Sequence, residues 1–253
     1  MSKDQVFYRY KYVGFSQNSL KIITDGTIKF TCPLDFNDPF DCRPYLLVDD
    51  DVVTSNPFKI AQKHKNLSPA EKIKQKPQML KNLKNAIDSG EYIKVFLQDL
   101  GVLSLSRTAN NILMWSHYAD NHRGFVVEFK YDMDILSSKA HRLESLFPIP
   151  VEYETSRPIH KMSERFDPTK HFLTKSIDWK YEQEERVITT NEGHGVHPYN
   201  RKEILNAVVA GAKMSDKDFE SLRNAVEKAS CEIGREIKIK KAKVSDYRYE
   251  VII

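Results

Sequence analysis

The chain opens on alternation. In "QVFYRYKYV", Gln5 to Val13, aromatic and aliphatic side chains interleave with polar ones at a period near two, which predicts a strand. In "SQNSLKIITDG" the pattern shifts to a short helix, with Asn18 or Ser19 as its cap and Gly26 at its end. "TIKFTCP" predicts a second strand, stopped by Pro33. "LDFNDPFDC" predicts a fixed turn around Asn37-Asp38-Pro39, because proline holds the residue before it out of the helical region. From about residue 56 to residue 100 the chain is polar, lysine-rich and helix-forming. Pro77 interrupts it, which predicts two or three short helices as an insertion on one side of a sheet.

The alternating "GVLSLSRT" predicts another strand. "NNILMWSHYAD" predicts a helix capped by Asn110 or Asn111, and "NHRG" breaks it before the buried strand "FVVEF". "IPVEYET" and "ERVITT" are further strands, with mostly helix and loop in "SRPIHKMSERFDPTKHFLTKSIDW" between them. "NEGHGVHPYN" reads as a loop. The clearest unit follows: a strand in "ILNAVVA", a turn at Gly211, a helix capped near Ser215 and a strand in "EIKIKKAKV". "YRYEVII" predicts a last strand. Strands with helices at irregular intervals predict one α+β domain over residues 1–253, with a mixed, largely antiparallel sheet and a helical insertion at about 56–100.

Composition narrows the function classes. With 39 basic and 35 acidic residues the net charge is +4, which permits a basic groove without demanding one. Cys32, Cys42 and Cys231 form no C-x-x-C pair. An odd, sparse set fits a reducing cytosol rather than a secreted disulfide scaffold. No Cys/His quartet has zinc-ligand spacing, and His194 and His197 would need a third ligand from elsewhere, so no metal is expected. "MSKDQVFYRY" lacks the apolar core of a signal peptide, and no run of about 18 apolar residues exists. A cytoplasmic location without membrane contact is the expectation. Glycine-rich nucleotide loops and the G-x-S-x-G elbow are missing.

Three segments carry candidate chemistry. On the "MWSHYAD" helix, Trp115, Tyr118 and Ala119 share a face while His117 and Asp120 lie on another; the stretch reads either as a well-packed helix–turn–strand corner or as one whose Tyr118 or His117 faces a pocket. In "LSLSR", Ser104 and Ser106 share one strand face with Val102, and Leu103 and Leu105 point the other way. In "DWKYEQEER", strand alternation sets Glu182, Glu184 and Arg186 apart from Gln183 and Glu185. Two carboxylates on one face repel, so at least one needs a cation, a donor or a raised pKa. Arg186, Arg9 and Arg107 are the candidate partners. The bland outcome is a structural Arg–Glu network; the other is an acid/base or cation-stabilising pair facing a cleft. In "YRY", Arg9 faces away from Tyr8 and Tyr10 and suits carboxylate or phosphate.

Taken together, "FNDPFD", "LMWSHYADNHRGFVVEF" and "WKYEQEERVI" resemble the bacterial domain-of-unknown-function family numbered two-nine-seven-one, over most of the chain from Tyr8 to about Ile253. The family name implies no activity. A second resemblance is to ADP-ribosyltransferases. Those enzymes carry an Arg or His on an early strand, a Ser-x-Ser or Tyr in the middle and a Glu-x-Glu late, and this chain has Arg9, Ser104 with Ser106 (or Tyr118), then Glu182 with Glu184 in that order. The opening "YRYKYVGFSQNSLKIITDGTIKF" is similar to their start as well. This resemblance implies an ADP-ribosyltransferase-like fold and NAD, or a related nucleotide, as substrate. It implies that Arg9 holds the NAD phosphates or ribose and that Ser104 and Ser106 brace the site, with His117 beside it. Tyr118 would stack on nicotinamide, and Glu184, assisted by Glu182, would stabilise the ribosyl cation and orient an unidentified protein or nucleic-acid acceptor. A toxin or phage-defence effector would be in keeping with such an activity.

Two other classes fit the same residues. A metal-dependent hydrolase or nuclease would need Asp38, Asp41, Glu182 and Glu184 to share a cation. A non-enzymatic binding or sensing module would use the motifs as structural corners and present its lysine-rich helices to a partner.

Overall fold

The computed structural model describes residues 6–55, 59, 68–132 and 146–253. The start of the expected helical insertion, residues 56–67 apart from residue 59, lies outside the described residues, as does Gln5. In chain order the elements are β1 (Val6–Val13), α1 (Gln17–Thr24), β2 (Thr27–Phe30), β3 (Tyr45–Leu47), α2 (Pro69–Asp88), α3 (Glu91–Leu97), β4 (Gly101–Ser106), α4 (Ile112–Tyr118) and β5 (Phe125–Asp132). There follow β6 (Ile149–Pro150), β7 (Glu152–Glu154), β8 (Ile159–Lys161), α5 (Pro168–Phe172), β9 (Thr174–Ser176), β10 (Glu184–Thr189), β11 (Gly195–Pro198), α6 (Arg201–Ile204), β12 (Leu205–Ala210), α7 (Asp216–Ile233), β13 (Lys238–Lys241), β14 (Lys243–Val244) and β15 (Val251–Ile252). This is the expected α+β class.

The chain divides into two compact units, the first made of residues 1–31, 101–151 and 178–253 and the second of residues 32–100 and 152–177. The first is built on a seven-stranded sheet in the order β13-β12-β5-β1-β4-β10-β6. Its β12/β13 pair is parallel, and the other pairs are antiparallel. β1 pairs with β5 along all eight residues, but with β4 only at Tyr10 opposite Ser106. Alternation in β5 sends Phe125, Val127 and Phe129 into one core with α1 and α7, and Val126 into a second core with Trp115 of α4.

Local chemistry sets the helix ends. α1 is capped by Ser16 rather than Asn18 or Ser19, and Ser19 closes the capping box from the third helical position. That frame buries Leu20, Ile22 and Ile23. Asn111 caps α4 as expected, accepting from the amides of Leu113 and Met114. After α4, Asp120, Asn121 and His122 all take left-handed conformations, and the chain enters β5 through Gly124. A Cβ on Gly124 would lie 2.1 Å from the Val13 carbonyl oxygen, so no larger residue fits there without moving backbone. Gly124→Ala should therefore lose about 3 kcal/mol of stability, read as a lower urea midpoint with an unchanged m-value.

"NEGHGVHPYN" is not all loop, since Gly195–Pro198 form β11 and pair with β2 in antiparallel register. "YRYEVII" yields strand only at Val251–Ile252, and Tyr247 to Tyr249 sit in the turn before it. "SRPIHKMSERFDPTKHFLTKSIDW" contributes two short strands, β8 and β9, beside the short helix α5.

In the second unit, β3 pairs in parallel with β8, and β7 with β9. α2 runs unbroken through Pro77, against the expected interruption. Proline removes only one ladder hydrogen bond, and the Ser68/Glu71 capping box with Pro69 in the first turn holds the helix start. His171 of α5 is buried against His160 and Phe166, and its Nδ1 makes no hydrogen bond. Desolvation, then the charges of His160 and Lys170, push it down to about 4. The unfolded chain takes up this proton near pH 6.5 and the folded one only near 4, so stability falls as pH drops through that interval. Thermal melts from pH 7 to pH 4 should show a loss of roughly 2 kcal/mol that His171→Phe reduces.

Candidate functional site

The "DWKYEQEER" segment does not continue as one strand. Ile177–Glu182 form a 3₁₀ turn, Gln183 takes a left-handed φ of 47°, and β10 begins only at Glu184. The reversal at Gln183 removes Glu182 from the alternation of the strand and leaves Glu184 and Arg186 as the pair on one face. Glu184 lies opposite Ser106 and Arg186 opposite Ser104, so the serines share that face, as the period of two in both strands requires.

The glutamates are held by partners from several elements. Arg186 is fully buried and forks onto Glu184, with Nε to Oε1 at 2.8 Å and Nη2 to Oε2 at 3.0 Å. Glu185, on the other face and also buried, accepts from both Nε and Nη2 of Arg9 and from Nε of Arg107 at 2.7 Å. Arg9 also lies over the ring of Phe7. Glu182 accepts from the Tyr118 hydroxyl at 2.5 Å. The hydroxyl of Ser106 donates to the Glu182 carbonyl at 2.7 Å and accepts from the Thr108 amide at 3.2 Å, which fastens the backbone that carries the carboxylate.

α4 is tied to the same turn. The side-chain amide of Asn111 donates to the Tyr181 carbonyl at 3.1 Å while its oxygen caps the helix, so one residue fixes both. His117 Nδ1 lies 3.0 Å from the Tyr181 hydroxyl. Tyr181 of the turn thus meets the end of α4, and Tyr118 and His117 both reach the segment holding Glu182.

Lys11 completes the group. Its Nζ donates to the Ser104 carbonyl at 3.0 Å, across the place where β1 and β4 share only one pair. Burial pushes this ammonium down to about 8, against the pull of the Glu184 and Glu182 charges. A buried lysine whose ammonium is lowered to about 8 and feels the charges of two carboxylates is a marked candidate for function. Sequence reasoning passed over Lys11 in favour of Arg9. The available signal was its position two residues after Arg9 in "YRYKY", on the same side of the alternation.

Of the residues picked out in the sequence, Tyr118, His117, Ser106, Ser104, Glu182 and Glu184 therefore converge around the start of β10. Arg9 joins through Glu185. The described residues contain no cluster of three or more His, Cys, Asp or Glu side chains suited to a metal ion. Asp38 and Asp41 belong to the second unit, Glu182 and Glu184 to the first. His197 sits in β11 with its Nε2 3.0 Å from the Gly193 carbonyl. Among the described residues no helix is long and apolar enough to cross a membrane.

The sequence model of a family described as "Protein of unknown function (DUF2971)" matches residues 114–187, from α4 into β10. The match bears out the family resemblance carried by the "MWSHYADNHRGFVVEF" and "WKYEQEERV" motifs, and it spans the elements that supply Tyr118, His117, Glu182 and Glu184. No curated protein and no solved structure matches the chain.

Proposed function

We propose that the chain is an NAD-cleaving enzyme of the ADP-ribosyltransferase kind, with Glu182 as its principal carboxylate. The observation that carries this reading is the fixing of Glu182 from two sides, its carboxylate by the Tyr118 hydroxyl and its carbonyl by Ser106. Breaking the nicotinamide–ribose bond builds positive charge on the ribose, and a carboxylate placed in advance stabilises that charge without reorganising. Glu184, held by Arg186 through two hydrogen bonds, assists Glu182. Lys11 supplies a cation for the phosphates, while Arg9 of β1 holds Glu185 of β10 across the intervening β4. Tyr118 positions Glu182, and His117 with Tyr181 forms an aromatic wall for the nicotinamide. An effector that depletes NAD, as a toxin or in phage defence, is the biological setting in keeping with this chemistry.

The closed pairs Arg9–Glu185 and Glu184–Arg186 favour a second reading in which those four residues are purely structural. Incubation with NAD tests the enzymatic reading. Nicotinamide release, followed by chromatography, is expected from the native chain and not from Glu182→Gln. A chain that neither binds NAD in calorimetry nor releases nicotinamide would remove the enzymatic reading.

A further inference from the structure

The last stretch of the chain carries chemistry that neither the core nor the candidate site uses. Between residues 238 and 249 five basic residues stand against one acidic residue, Asp246. β13 is an edge of the seven-stranded sheet, and Lys238, Lys240 and Lys241 are exposed along it, with Lys243 exposed in β14. Lysines on an edge strand prevent it from pairing with other chains, and that alone accounts for one or two of them. Lys241 has a local role, since its ammonium lies 3.7 Å from Asp216 and over the Phe219 ring. Lys238, Lys240 and Lys243 make no ion pair among the described residues.

Edge protection does not account for the turn between β14 and β15. There Tyr247 is 95% exposed and Tyr249 101%, with exposed Arg248 between them. Full exposure of two large aromatic rings leaves them without any packing partner in the fold. The turn is nevertheless defined. The Ser245 amide donates to the Glu250 carbonyl at 3.0 Å, and the Ser245 hydroxyl accepts from the amides of Tyr247 and Arg248. Beside it lies a concavity of about 550 Å³, bordered by this turn, His122 and Lys213. A second one of about 410 Å³ continues past Glu250 and Val251 to Lys240, Arg107 and Tyr10. The two open concavities share Glu250 and Val251, and the first is bordered by Tyr247, Arg248 and Tyr249. With unpaired lysines on the adjoining strand, they offer stacking faces and backbone cations near one another.

We infer that the β14–β15 turn and the β13 edge form a binding surface for single-stranded nucleic acid. Unpaired bases stack on Tyr247 and Tyr249, and the phosphates run along Lys238, Lys240 and Lys243. Asp246, Glu250 and Glu128 border the same surface, so phosphate attraction alone is weak there and stacking supplies much of the affinity. A duplex, whose bases are already stacked, does not engage the tyrosines. The inference stands apart from the NAD reading, because it shares none of the residues around Glu182.

Fluorescence anisotropy of short fluorescein-labelled oligonucleotides of mixed sequence, as single-stranded RNA, single-stranded DNA and duplex, tests it on the full chain. The native protein is expected to bind a single strand well ahead of the duplex. RNA bound ahead of DNA, or the reverse, identifies which single strand is the ligand. Tyr247→Ala with Tyr249→Ala should weaken binding at least tenfold, and Lys238→Ala with Lys240→Ala and Lys243→Ala should flatten the salt dependence. These positions are exposed, and the variants are expected to keep the circular dichroism spectrum of the native chain. Glu182→Gln should bind as the native chain does, whatever its effect on NAD. Failure to bind either single strand, equal binding of the duplex, or a tyrosine double variant that binds like the native chain each overturns the inference.

Discussion

Arg186→Ala should destabilise the protein by roughly 3–5 kcal/mol, among the largest losses available to a single polar substitution in this chain. Arg186 is entirely buried and Glu184 nearly so, and the two are joined by a two-pronged hydrogen bond. Truncating the arginine leaves a carboxylate in a desolvated site without its matching charge, and it also opens a cavity the size of a guanidinium and its stem. Most of the loss belongs to the stranded charge rather than to the pair itself. Replacing both partners together, Glu184→Leu with Arg186→Met, should therefore recover much of the stability that Arg186→Ala loses. Urea denaturation of the two variants beside the native chain decides it. A double variant as unstable as Arg186→Ala would mean that the pair is stabilising in its own right.

Glu182→Gln should lower the rate of nicotinamide release by about 10²–10³-fold if the enzymatic reading holds, with little change in stability. The amide is nearly isosteric and keeps an oxygen to accept from Tyr118. Tyr118→Phe removes the donor instead. It should lower the rate by a smaller factor, roughly tenfold, since the carboxylate remains but is less firmly held. The pair of variants separates charge from positioning. Lys11 adds a pH test: its ammonium is charged below about 8 and neutral above it, so a step that needs the cation falls away on the alkaline side of that value. Lys11→Met should lose that alkaline limb. Equal rates for Glu182→Gln and the native chain would leave the carboxylate without a catalytic part, whatever Lys11 does.

Much of the fold was legible because its signals are local. The buried apolar runs of β5 and β12, the Asn111 cap, the Ser215 cap and the break at Gly124 each follow from a few neighbouring residues, and each is present. The misplaced features depend on something distant. β11 exists because β2 offers it an edge, which nothing within "NEGHGVHPYN" reveals. α2 continues through Pro77 because the cost of one proline is small beside a capped helix of 20 residues.

The candidate site shows the same division. The sequence by itself determined that Glu184 and Arg186 share a face, that Glu185 points away from them, and that Tyr118 and His117 end a helix. These relations are fixed by backbone periods of 2 and 3.6 residues. Only the tertiary structure decided the partners: Glu185 with Arg9 from β1, Glu182 with Tyr118 from α4, and Lys11 with the Ser104 carbonyl where β1 and β4 part. The left-handed turn at Gln183, which lifts Glu182 out of the strand, was likewise outside the reach of alternation. Which side chains meet is set by strand order and register between segments up to 176 residues apart, and no local period encodes that.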